Sequence, residues 1–151
     1  MRRLAVFPLF VVLMAPSCLP STPDQSAWRA AAIRSVEDVA SSVATVEWGI
    51  EHDDDLFGRY LRSLVVHAEE SADSSQQKLS SLQPPGAAEA IYDSATGTLS
   101  DATSVVADAR IAVVEGDDAA YPGLAHRLDQ IGDRLDALEQ QLRAMPTGDH
   151  D

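Results

Sequence analysis

One cysteine, Cys18, stands in 151 residues. That excludes an internal disulfide, a thiolate-rich metal site and a covalent haem attachment, which needs two cysteines. Positive charge is scarce: eleven lysines and arginines face 24 aspartates and glutamates, for a net charge of −13, and Lys78 is the single lysine. A surface so acidic repels phosphate backbones and anionic headgroups, so nucleic acid is excluded as a partner and charge cannot hold the chain at a membrane. Aromatics are 5% of the chain. No apolar run approaches the roughly 20 residues a membrane-crossing helix needs, and no alternation of apolar and polar residues is long enough for a sheet. Catalytic patterns are missing too. The serines have no glycine-flanked elbow, and Gly49, Leu64 and Gly123 stand three residues before His52, His67 and His126, where a di-metal bundle would need glutamate.

What is present begins at the N-terminus. Arg2 and Arg3 precede an apolar stretch, Leu4 to Ala15, closed by Pro16. Its length and order are those of a signal peptide over 1–17. The following Ala15-Pro16-Ser17-Cys18 resembles the lipobox of bacterial lipoproteins, although that family usually has leucine where Ala15 stands and rarely proline where Pro16 stands. The resemblance implies cleavage before Cys18 and acylation of its thiol and amine. Residues 18–24, with two prolines, would then be a short tether, and the chain would be exported and anchored by lipid to the outer face of the cell membrane. The small residues Ala15 and Ser17 equally suit ordinary signal peptidase, which would release a secreted soluble chain.

The rest of the chain is one domain's worth of helical pattern. Asp24 or Ser26 suits a helix cap, and Val36, Val39, Val43, Val46 and Ile50 recur at three- and four-residue spacing, which predicts a helix over 25–51. The acidic run Glu51 to Asp55 breaks it, and an aspartate there is expected to cap a second helix with the seam Phe57, Leu61, Leu64, Ala68, Ser71, Ser75, Leu79 and Leu82. Pro84-Pro85-Gly86 breaks that one. In a third helix Ala88, Ile91, Ala95, Ala102, Val105 and Ala109 should face the core, with Tyr92, Leu99, Val106 and Val113 alongside. Gly116 stops it, and Asp117 and Asp118 are expected to cap a fourth. That last helix has a heptad seam, Tyr121, Leu124, Leu128, Ile131, Leu135, Leu138, Leu142 and Met145, ended by Pro146. Residues 147–151 read as a disordered tail.

Four amphipathic segments joined by short turns predict an all-α fold, an up-down-up-down antiparallel four-helix bundle over 25–146; helical hairpins that dimerise are the alternative. An exported cysteine, an acidic alanine-rich body and four helices resemble small helical lipoproteins of high-GC bacteria, a likeness of type that implies no activity. The expected function is therefore that of a non-enzymatic envelope lipoprotein, a binding or scaffold module for an unknown envelope protein. Trp48 is the candidate partner contact, because it falls outside the valine seam; the simpler expectation is that it folds over the first turn onto Phe57 or Tyr60. Trp28 is expected at the core boundary. A second function is cation binding at an acidic tip, with Asp53, Asp55, Asp117 and Asp118 supplying oxygens to a weakly held divalent ion; capping of helix starts is the plainer role for them. A third is an enzyme with an unrecognised site. No cofactor is implied beyond that ion.

Overall fold

The computed structural model describes residues 24–146. Four helices, α1 (Gln25–Glu51), α2 (Gly58–Ser80), α3 (Glu89–Glu115) and α4 (Tyr121–Ala144), are separated by single 3-10 turns at Asp53–Asp55, Gly86–Ala88 and Asp118–Ala120. Helices α1 and α3 each pack on both α2 and α4 and also touch across the diagonal, so the chain forms an antiparallel four-helix bundle. Among the described residues no helix is long and apolar enough to cross a membrane. Cys18, the signal-peptide reading, the tether up to residue 23 and the C-terminal tail lie outside the described residues.

The core follows the helical period. Along α1 the predicted valine seam is buried and extends back through Ala32 to Trp28, whose ring is fully enclosed instead of marking the core boundary. All of the α4 seam from Tyr121 to Leu142 is buried. Met145 is partly buried against the core but lies beyond the helix, in extended backbone, because the ring of Pro146 disfavours helical angles before it. On α3 the larger and smaller residues share one seam, Ala95, Leu99, Ala102, Val106, Ala109 and Val113, where the pattern had set the larger ones alongside. Val105 is buried at the seam's margin, and Ile91 and Tyr92 are only partly buried.

The second helix departs most from expectation. Its seam is Leu61, Val65, Ala68, Ala72, Ser75 and Leu79. Ser71 is exposed and Ala72 takes its place, an exchange that buries a methyl group without desolvating a hydroxyl. Leu64 is only partly buried, at the edge facing α1. Phe57 precedes the helix in extended conformation and is 81% exposed, while Leu56 turns in against the core.

The two ends of the bundle differ. At the end where α1 begins and α4 finishes, Gln25 Nε2 donates to Pro146 O at 3.3 Å and Arg29 Nη1 to Met145 O at 2.5 Å. Trp28 packs against Tyr92 with ring centroids 6.4 Å apart, and Tyr92 Oη donates to Ser80 O, so all four helices are joined there. At the opposite, distal end a close approach sets the geometry. A methyl group added at Gly49 would lie 3.0 Å from Leu61 Cδ1 and 3.1 Å from Leu64 Cδ2, so α1 and α2 meet where there is no side chain. Gly116 ends α3 in the left-handed region (φ 72°), and Asp117 N–H closes the helix onto Ala112 O at 2.9 Å.

Leu135 is fully buried in the middle of α4. Replacing it by alanine is expected to lower unfolding free energy by about 2 to 5 kcal/mol, measured by urea denaturation. A loss below about 1 kcal/mol would mean that the α4 seam does not form the core.

Candidate functional site

The distal end gathers the residues singled out by pattern. Ile50 and Glu51 of α1 and Asp53 and Asp54 of the first turn line a cleft of about 400 Å³ together with Asp118 of the third turn and Tyr121, Pro122 and Ala125 of α4, so the two acidic turns do meet. The carboxylates do not converge on a point, however. Asp53 and Asp118 border this cleft, Asp55 is exposed, and Asp117 lines a separate groove between α3 and α4 with Asp108, Ile111 and Glu115. Among the described residues no group of three or more His, Cys, Asp or Glu side chains is placed to hold a metal ion. Asp53 and Asp118 thus share one cleft, while Asp55 and Asp117 lie outside it.

Nor do these aspartates cap helices. Phe57 stands at the N-cap of α2 and Ala120 at that of α4, neither start has a side-chain cap, and Asp117 makes no side-chain cap bond to the 3-10 turn it precedes. Backbone hydrogen bonds of the 3-10 turns replace them: Leu56 N–H to Asp53 O and Ala120 N–H to Asp117 O. The side-chain cap that forms is at the other end, where Asp24 accepts from Ser26 N–H at 2.6 Å.

Crowding of like charge is visible in two groups. The Glu47 carboxyl is pushed above its ordinary range by burial first, then by Glu51 and Asp129. The Tyr121 phenol is also raised, by burial, by the charge of Asp118 and a hydrogen bond to it, and by Asp53, with Arg62 opposing.

Aromatic exposure is the feature that periodicity did not anticipate in full. Trp48 is 48% exposed, Tyr60 55% and Phe57 81%. Trp48 folds onto neither Phe57 nor Tyr60; its ring stacks on His52 with centroids 4.8 Å apart and planes 22° off parallel, and His52 Nδ1 lies 2.8 Å from Trp48 O. The other aromatics among the described residues, Trp28, Tyr92 and Tyr121, are buried or partly buried. Every exposed aromatic described thus sits at the α1–α2 corner of the acidic end. The signal for Phe57 was available: glycine follows it, and Leu56 beside it offers a second apolar group for the inward position.

Running back from this corner, a groove of about 380 Å³ between α1 and α2 is lined by Asp38, Ser41, Thr45, Tyr60, Ser63 and His67 among others. Two of its hydroxyls are engaged locally: Ser42 Oγ donates to Asp38 O and Thr45 Oγ1 to Ser41 O, the preceding turn of their own helix. No serine there is paired with an imidazole. His67 is exposed and its nearest charge is Glu70 at 3.5 Å; His126, also exposed, contacts Gln130. No protein-family model, curated protein or solved structure matches the chain.

Because the folded pKa of Glu47 is raised, its contribution favours folding at acid pH and is lost as pH rises through that raised value. Glu47→Gln should therefore raise the melting temperature at pH 7 and flatten its decline as pH rises from the ordinary glutamate value of 4.5 upward, followed by circular dichroism. An unchanged pH profile would contradict the crowding.

Proposed function

We propose that the chain is a non-enzymatic lipoprotein of the cell envelope, held by lipid on Cys18 and acting as a binding or scaffold module whose contact surface includes Trp48. The lipid reading is supported by a lone cysteine at the end of a signal-peptide pattern, with no second thiol to pair with. The module reading rests on one observation above all, the half-exposed Trp48 at the end of the bundle away from the N-terminus of α1. Helices of 27 residues at 1.5 Å per residue extend about 40 Å. A lipid tether entering at Asp24 would hold the far end, with Trp48, clear of the membrane surface. Large exposed aromatics carry much interface energy, because they bury area at little entropic cost.

Two measurements test the two halves. Mass spectrometry of the mature protein should find Cys18 as the first residue carrying at least two acyl chains, the number stable anchoring requires, and Cys18→Ser should move the protein to the soluble fraction. An unmodified secreted chain beginning at Cys18 would refute the anchor. A photocrosslinking amino acid at position 48 should trap an envelope protein that the same group at exposed Asp73 does not; equal or absent trapping would refute the module.

A further inference from the structure

The chemistry of the partner can be read from what surrounds the exposed aromatics. Trp48 lies in the last turn of α1, Phe57 immediately before α2 and Tyr60 in its first turn, so the three share one corner. Glu47 and Glu51 flank Trp48 on α1, and Asp53, Asp54 and Asp55 fill the turn between Trp48 and Phe57. Arg59 and Arg62 are the cations nearest in sequence, and Arg62 acts toward Tyr121. The corner therefore presents three exposed aromatic side chains beside five carboxylates, with Arg59 the one cation between Phe57 and Tyr60.

We propose that this corner docks a basic amphipathic segment of a partner protein, one in which arginine or lysine alternates with large apolar side chains. The proposal rests on the binding-module reading and adds the partner's chemistry to it. Charge complementarity selects the occupant. An arginine or lysine over the outer face of Trp48 gains from the ring quadrupole and from the neighbouring carboxylates together, and Phe57 and Tyr60 offer area for the apolar side chains between the charges. A second copy of this chain is disfavoured, because two identical corners would bring their carboxylates together. An anionic membrane is disfavoured for the same reason. Tyr60 also lines the adjoining α1–α2 groove, so a segment of extended or helical form has a direction in which to lie.

The test uses the full chain in phosphatidylcholine nanodiscs, with empty discs as the lipid control. The probe is a fluorescein-labelled 16-residue helical peptide of leucine and arginine, followed by anisotropy in 0.15 M sodium chloride. The matched peptide with glutamate in place of arginine is the comparison. The basic peptide should bind the protein discs and not the empty ones, and the acidic peptide should not bind. Trp48→Ala/Phe57→Ala should weaken binding by about tenfold or more, and Asp53→Asn/Asp54→Asn by about threefold or more. Asp73→Asn/Asp136→Asn, which removes two exposed carboxylates along the bundle's sides, should leave it unchanged. Tyr60→Ser, whose ring is exposed and takes no part in the His52 stack, should weaken binding without altering the melting temperature, and it decides the matter if the double variant unfolds. Binding insensitive to the aromatic substitutions, equal binding of the acidic peptide, absence of binding, or self-association that Tyr60→Ser abolishes would each overturn the proposal. Loss of the peptide while crosslinking from position 48 persists would refute the basic chemistry alone; loss of both would refute the module as well.

Discussion

Contact between α1 and α2 at Gly49 is the constraint from which the distal end follows. With no Cβ there, the backbone of α1 can lie against Leu61 and Leu64 of α2, and the glycine is itself buried. The helical period then turns the next residue back, Trp48, away from that contact and into solvent, where the imidazole of His52 four residues on is the ring available to stack on. Holding the two helices together also shortens the turn. Six residues, 52–57, join them, enough for one 3-10 turn and one apolar residue turned inward. Leu56 takes that place, and Phe57 is left outside.

The opposite end is built in the reverse manner. Trp28 fills the space among the helices, Tyr92 packs on it and bonds to the end of α2, and side chains from the start of α1 hold the carbonyls that follow α4. Arginines on α3 and α4 add ion pairs along the sides: Arg110 to Glu69, Arg127 to Asp108, Arg134 to Asp101, and Arg143 to both Glu37 and Glu139. All but the partly buried Arg110–Glu69 pair are well exposed on at least one side, and exposed pairs contribute little each. They also neutralise Glu69, Asp108, Asp101, Glu37 and Glu139 along the sides, whereas Asp53, Asp54, Asp55, Asp117 and Asp118 of the first and third turns have no arginine at ion-pair distance among the described residues.

The architecture was legible because α1 and α4 carry seams that hold a strict three-four spacing over their whole length. Helix α1 runs between the residues its pattern indicated, and the breaks at Pro84, Pro85, Gly116 and Pro146 are where backbone chemistry puts them. In α2 alanines and serines alternate on neighbouring faces, and periodicity alone cannot choose Ala72 over Ser71. Exposure at the corner was half legible: Trp48 lies visibly off the valine seam, whereas Phe57 satisfies the spacing of α2 and is excluded from it only because the helix starts one residue later. The acidic residues misled for a different reason. Aspartate before a helix is the pattern of a cap, but here backbone bonds of the 3-10 turns stand in that place and the aspartate side chains make no cap.

The central claim, an exposed tryptophan in a negative field at one end and an enclosed one at the other, can be measured by fluorescence quenching of two single-tryptophan proteins. With Trp28→Phe, the emission of Trp48 should be red-shifted and quenched more strongly by caesium than by iodide, because the carboxylates attract the cation and repel the anion. With Trp48→Phe, Trp28 should emit to the blue and resist both ions, as its complete burial requires. A shielded Trp48, or one quenched as well by iodide as by caesium, would contradict the account.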